Sequence, residues 1–353
     1  MLITRRAAIA GVAGVSACSS GPVRVPFVEA HPHILIPVEV DGRAATALLD
    51  NGAPVSVLDK GFAAAGAEAR RARLNLGGAQ LSVWPLVDNL SHVANTAEQP
   101  VQAICGYEVF QRWTVGFDFV GKTIALGGGA PKGAQQLKLK PRGYRQHTVE
   151  VTCGGAPATG AILDLGCSTA ILIGEDFCAR HGLAKGLVTS HRMAPVFVAG
   201  GMADLVLMTF RLPSVSFAGR TFRDVPVDVL PKDAGPFSGM DLVLGAPILN
   251  RFDLLMDLPA ARMWAAANGR AGEAFERRTV GISSEVEAGG LRVRHVAENS
   301  PAAAAGVLAG ELIATINGAA ASKRAIRTAQ PGQRLEMVMA GGTRRVATAG
   351  YYY

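Results

Sequence analysis

A segment that recurs once, with an aspartate at the same place in both copies, constrains this 353-residue chain more than any other feature. HILIPVEVDGRAATALLDNGAPVSVLD (33–59) returns loosely as HTVEVTCGGAPATGAILDLGCSTAILI (147–173). Apolar residues alternate at Ile34, Ile36, Val38 and Val40, and again at Val149, Val151 and Cys153, which is the period of a half-buried strand. A Gly-containing turn follows, and the chain returns as an apolar strand that runs into Asp-x-Gly. Asp50 and Asp164 stand 114 positions apart, the length of a small folding unit. A second pair of landmarks agrees. AICGYEVFQRWTVGFDF (103–119) parallels LVLGAPILNRFDLLMDL (242–258), setting Gly106 against Gly245 and Asp118 against Asp257, both 139 positions apart. The longer interval gives the second copy an insert between its motifs.

A carboxylate at the tip of a tight turn, with glycine beside it, lets another backbone approach closely. Two such turns meeting across a pseudo-twofold axis bring two carboxyls into contact. Like charges at that range cannot both ionise, so the pair holds one proton, an arrangement known from aspartic proteases. The residues carry a family resemblance to match. LLDNGAPVSVL (48–58) resembles the active-site string of retropepsins, and ICGYEVF (104–110) and VLGAPIL (243–249) resemble the segments that brace it through Gly106 and Gly245. The chain is similar to bacterial two-lobed aspartyl proteases that end in a PDZ domain.

This resemblance implies a mainly β fold: two retropepsin-like acid-protease lobes forming a pseudo-dimer, over 31–130 and 137–266, followed by a small α+β domain. The Gly/Pro/Lys stretch GGGAPKGAQQLKLKPRG joins the lobes. One chain then supplies both halves of the site, so a monomer suffices. Asp50 and Asp164 are the expected catalytic pair, with Asn51, Gly52, Leu165 and Gly166 forming the active-site turns. Gly77-Gly78 and Gly200-Gly201 are the expected tips of hairpins that act as flaps over a bound peptide. The family carries Thr or Ser between Asp and Gly, whose hydroxyl ties the two turns together. Asn51 keeps a donor and an acceptor for that task, whereas Leu165 has neither.

The character changes from about residue 277. SPAAAAGVLAGELIATINGAA (300–320) has Ser300 as an N-cap with Pro301 in the first helical position. The segment 277–349 resembles a PDZ domain of the bacterial periplasmic kind, which implies binding of peptide termini by strand addition. At the other end, residues 1–18 (MLITRRAAIAGVAGVSAC) read as a lipoprotein-type signal peptide. Its apolar stretch is too short to span a bilayer, and Val15-Ser16-Ala17-Cys18 resembles a lipobox with Cys18 as the lipidated residue. The expected location is periplasmic, anchored to the membrane by lipid.

Composition narrows the alternatives. Charged residues make up only 18% against 49% hydrophobic, which excludes intrinsic disorder. The formal charge is +7, of which Arg5 and Arg6 belong to the leader; the rest is dispersed and aromatics are 6%, so no nucleic-acid partner is expected. Cys105, Cys153, Cys167 and Cys178 allow three disulfide connectivities that sequence does not separate. His31-Pro32-His33 lacks a third ligand, so no metal is expected, and nothing calls for a cofactor. Zinc-protease and serine-hydrolase signatures are absent. The reading is therefore an aspartic endopeptidase acting on peptide or unfolded protein. A peptide-binding pseudo-protease, motivated by Asn51 and Leu165, is the first alternative. A PDZ-based interaction protein is the second.

Overall fold

The computed structural model describes residues 21–31, 33–67, 70–143, 145–198, 201–232, 234 and 239–353. Strands account for 49% and helices for 10%, so the fold is mainly β.

The first repeat comprises β1 (Val23–Pro26), β2 (His33–Val40), β3 (Arg43–Leu49), β4 (Val57–Asp59), β5 (Ala72–Leu76), β6 (Ala79–Val83), β7 (Leu86–Asp88), α1 (Ser91–Ala97), β8 (Ala103–Cys105), β9 (Val115–Asp118) and β10 (Thr123–Leu126). The alternation in β2 does what its sequence asks: Ile36, Val38 and Val40 are buried while Pro37 and Glu39 face out. Asp41 and Gly42 both take positive φ (51° and 81°), the backbone of a two-residue hairpin turn whose twist matches its strands. β3 then returns beside β2 and lies parallel to β8, with Leu49 opposite Cys105. β8 pairs antiparallel with β4, which is parallel to β7.

The second repeat comprises β11 (Gln135–Lys138), β12 (His147–Cys153), β13 (Ala156–Asp164), β14 (Ile171–Gly174), β15 (Ser190–Val198), β16 (Gly201–Phe217), β17 (Arg220–Leu230), β18 (Leu242–Gly245), β19 (Phe252–Asp257) and β20 (Arg262–Ala267). Its topology repeats the first. β13 lies parallel to β18, β18 antiparallel to β14, and β14 parallel to β17. The turn is again two residues of positive φ, Gly154 and Gly155. The insert anticipated from the spacing is the hairpin of β15 with the first half of β16. Thr152 of β12 pairs with Ser216 of β16, which closes this sheet on itself.

Each repeat also lends three strands to a shared six-stranded sheet, ordered β1-β10-β9-β19-β20-β11. The seam is the antiparallel pair β9–β19, with Val115 opposite Met256. One apolar core runs from Val25 through both repeats to Phe275, so the two repeats share their main core. Each fully buried Val, Leu or Ile adds about 1.5–3 kcal/mol to that core. The outer faces are covered differently. In the first repeat Val93 and Ala97 of α1 pack with Leu48 and Ile104; in the second, Ala194, Val196 and Leu207 of the β15–β16 arm pack with their counterparts Ile162 and Val243.

The C-terminal segment forms a separate sheet with its own core. Its main strands are β21 (Ile282–Glu287), β22 (Gly290–Val296), β23 (Leu312–Ile316), β24 (Arg334–Met339) and β25 (Arg344–Thr348), in that order across the sheet, with helix α2 (Lys323–Arg327) against the edge strand β21. Ser300 caps the helix Pro301–Ala304 as expected, its Oγ accepting from Ala303 N at 3.2 Å. This domain touches both repeats. Val286 N donates to Asn95 Oδ1 of α1 (3.3 Å), and Met193 N of β15 donates to Ser283 Oγ (3.2 Å). Among the described residues no helix is long and apolar enough to cross a membrane.

Candidate active site

Both aspartates sit where an apolar strand stops. Asp50 follows β3, its N–H donating to Cys105 O (3.0 Å), and Asp164 ends β13 opposite Gly245. Each carboxylate folds back on its own turn: Gly52 N donates to Asp50 Oδ1 at 2.7 Å, and Gly166 N to Asp164 Oδ1 at 2.7 Å, with Cys167 N adding a third bond at 3.1 Å. The turns cross over each other. A Cβ built on Gly52 would lie 2.5 Å from Asp164 Oδ1, and one on Gly166 would strike Asp50 Oδ2. Only glycine leaves room for the opposite carboxyl at these two positions. Each carboxyl thus lies against the opposite turn, and both are half-buried.

Electrostatics follow from that closeness. Burial raises Asp50, opposed by the Gly52 N–H. Burial raises Asp164 further, and the neighbouring Asp50 charge adds to it. The pair therefore retains one proton between the two carboxyls, and its titration belongs to both together. One can accept a proton from water while the other donates one.

The tie between the turns is one-sided. Asn51, 2% exposed, donates from Nδ2 to Leu163 O (2.7 Å) and accepts at Oδ1 from Leu165 N (2.8 Å). Both contacts require the same amide orientation, so the network fixes it. Leu165 has no exposed surface and packs into the shared core. Its own backbone N–H, which lacks a hydroxyl partner across the axis, is served by Asn51.

Gly106 and Gly245 lie tightly against the two loops. A Cβ on Gly106 would lie 2.7 Å from the Val55 carbonyl, and one on Gly245 would overlap the Thr169 carbonyl. Tyr107 N donates to Ala53 O (2.9 Å) and Ala246 N to Cys167 O (3.0 Å), the same bond in each repeat.

The glycine hairpins need correction. Gly77 packs on Val25 and Val23 of β1, and the turn that answers it in the second repeat is Ala218-Gly219, whose Gly219 faces Gln135 of β11. Both turns therefore rest on edge strands of the shared sheet, and Gly77-Gly78 does not stand over the carboxyls. Gly201 begins β16 at the end of the inserted arm, opposite Val198; Gly200 lies outside the described residues, as do Cys18 and the leader. The four described cysteines are all free thiols. Burial pushes Cys105 and Cys153 up to about 12. Burial and then the Asp164 charge raise Cys167, which argues against a nucleophile there. His31 and His33 are not joined by a third ligand, and no group of three His, Cys, Asp or Glu is arranged to hold a metal among the described residues.

Sequence reasoning missed one cluster. Thr169, in the Asp164 loop, donates to Asp228 Oδ2 (2.5 Å), and Arg192 bonds to both. The available signal was an aspartate inside the apolar run Val227-Asp228-Val229, which needs a buried partner. No protein-family model matches this chain, and no curated protein matches it.

Proposed function

We propose that this chain is an aspartic endopeptidase in which two retropepsin-like lobes of one polypeptide form the site and a PDZ-like domain follows. The mutual glycine cradle, in which Asp164 lies against Gly52 and Asp50 against Gly166, carries this reading. A structural Asp-Gly turn has no need to face its copy.

The chemistry follows from the one shared proton. The ionised carboxylate of the Asp50–Asp164 pair takes a proton from a water as the water oxygen attacks the scissile carbonyl carbon, while the protonated carboxyl gives its proton to the carbonyl oxygen. The tetrahedral gem-diol then returns one hydroxyl proton to the carboxyl that gave its own, and its amine leaves with the proton held on the other. The C–N bond breaks, and the products are an acid and an amine. The peptide lies between the lobes, and the PDZ-like domain captures a chain terminus by strand addition. The leader anchors the protein by lipid at Cys18 on the periplasmic side of a membrane.

The test is cleavage of an unfolded protein from about pH 3 to 8, with and without pepstatin. Dyad-dependent cleavage falls by about 10²–10⁴-fold in Asp50→Asn and Asp164→Asn. Activity unchanged in both variants overturns the reading. The one-sided Asn51 tie with Leu165 favours a second reading, a peptide-binding protein with little turnover, which pepstatin-sensitive binding without cleavage would support. Peptide affinity lost entirely on removing 277–353 would instead favour the PDZ-based interaction protein.

A further inference from the structure

The two active-site loops are not held alike. In the first repeat the position three before Leu58 is Val55, which offers no side-chain hydrogen bond; the loop is tied instead by Ser56 Oγ, which accepts from Gly106 N at 3.1 Å. In the second repeat Ser56 is replaced by Ala170 and Val55 by Thr169. Thr169 Oγ1 donates to Asp228 Oδ2 (2.5 Å) and accepts from Arg192 Nη2 (2.8 Å), while Arg192 Nε donates to Asp228 Oδ1 (2.8 Å). The Arg192 and Asp228 side chains are only 13% and 5% exposed. A buried ion pair is a poor way to gain stability, since desolvation offsets most of the attraction. Burial works against the Asp228 charge, but Arg192 outweighs it and holds the carboxyl below its ordinary value.

Arg192 comes from β15, the inserted strand that the first repeat lacks. Its neighbour Met193 donates its backbone N–H to Ser283 Oγ of the C-terminal domain (3.2 Å), and Asp204 on the partner strand β16 meets Arg294 of that domain (3.5 Å). One strand thus has the C-terminal domain on one residue and the Asp164 loop on the next.

We infer that Arg192, with Asp228 and Thr169, positions the Asp164 loop, and that the C-terminal domain acts on the loop through β15. The inference rests on the protease reading for its consequence in catalysis, though not for the coupling itself. Arg192 is a positioning residue: it reaches the loop and not the carboxyls.

The test is amide hydrogen exchange on the full chain, read at Gly166, Cys167 and Met193, for Thr169→Val, Thr169→Ser and Ser283→Ala. Thr169→Val is near-isosteric and copies Val55, so the fold survives. It should speed exchange at Gly166 and Cys167 about tenfold, Thr169→Ser should keep them near wild type, and Ser283→Ala should speed Met193 and the same loop about threefold. In cleavage assays Thr169→Val lowers kcat with KM little changed, and Thr169→Ser restores it. Equal exchange in Thr169→Val and wild type, or a Thr169→Ser that behaves as Thr169→Val, overturns the positioning. A loop indifferent to Ser283→Ala overturns the coupling. Exchange that follows the expectation without any dyad-dependent cleavage would sustain the coupling while removing the protease reading.

Discussion

A carboxamide carries a donor and an acceptor, so Asn51 alone can satisfy both a carbonyl and an N–H of the opposite turn, a task the resembled family divides between two hydroxyls. Asn51→Ala orphans two buried backbone groups and should cost about 2–6 kcal/mol by urea denaturation, at ~1–3 kcal/mol for each group. Asn51→Asp keeps the acceptor for Leu165 N but adds a third carboxylate beside the pair, and should be at least as damaging. The dyad itself works against stability at neutral pH. Both carboxyls are raised, so their favourable contribution is present below the ordinary carboxylate range and is lost as pH rises through the raised values. Asp164→Asn, which keeps the shape and removes the like charge, should therefore abolish cleavage while flattening the fall of stability with rising pH. Denaturation of wild type and variant at acid and neutral pH checks this; an equal fall in both contradicts it.

At the scale of elements, the strands that carry the dyad were legible because burial on one face writes a period of two into Ile34–Val40 and Val149–Cys153. The positions of Asp50, Asp164, Gly106 and Gly245 were legible because each copy repeats at a fixed offset. The flaps were not, for a glycine pair fits any tight hairpin and says nothing of what the tip rests on. Arg192 and Asp228 are 36 positions apart on strands separated by β16, so their pairing exists only once the sheet has closed. His33, at the start of β2, gives this element a pH dependence of its own. Its ring is 6% exposed with Nδ1 unpartnered, and burial lowers it to about 4. The neutral ring stabilises the fold fully above its ordinary value near 6.5, and that contribution is lost as pH falls toward the lowered one. The loss amounts to about 3 kcal/mol. His33→Leu should remove that acid sensitivity in urea melts, whereas an unchanged slope would refute it.

At the scale of the whole molecule, the C-terminal domain sits on both repeats, and its contact with the first is itself sensitive to acid. Arg327 of α2 meets Glu98, which follows α1, and donates from Nη2 to His31 Nε2 at 2.9 Å. Both partners hold positive φ (55° and 48°), a conformation that costs a non-glycine residue about 1–2 kcal/mol. Arg327 can only donate, so the His31 nitrogen must be unprotonated. Burial and then Arg327 lower His31, with Glu98, Glu276 and Arg324 also facing it. This contact is intact above the ordinary histidine range and weakens as pH falls through the lowered value. Protection of the Asn95 and Val286 amides, measured against their intrinsic exchange rates, should fall on acidification in wild type; in Arg327→Gln it should be low at every pH, and protection independent of pH in wild type would contradict the contact. The two repeats meet at one place that matters most, and carbon NMR titration of the Asp50 and Asp164 carboxyls examines it directly. Two widely separated steps, one held well above the ordinary carboxylate range and abolished by Asp164→Asn, are the predicted result. Two independent titrations near the ordinary value of about 4 would contradict the account.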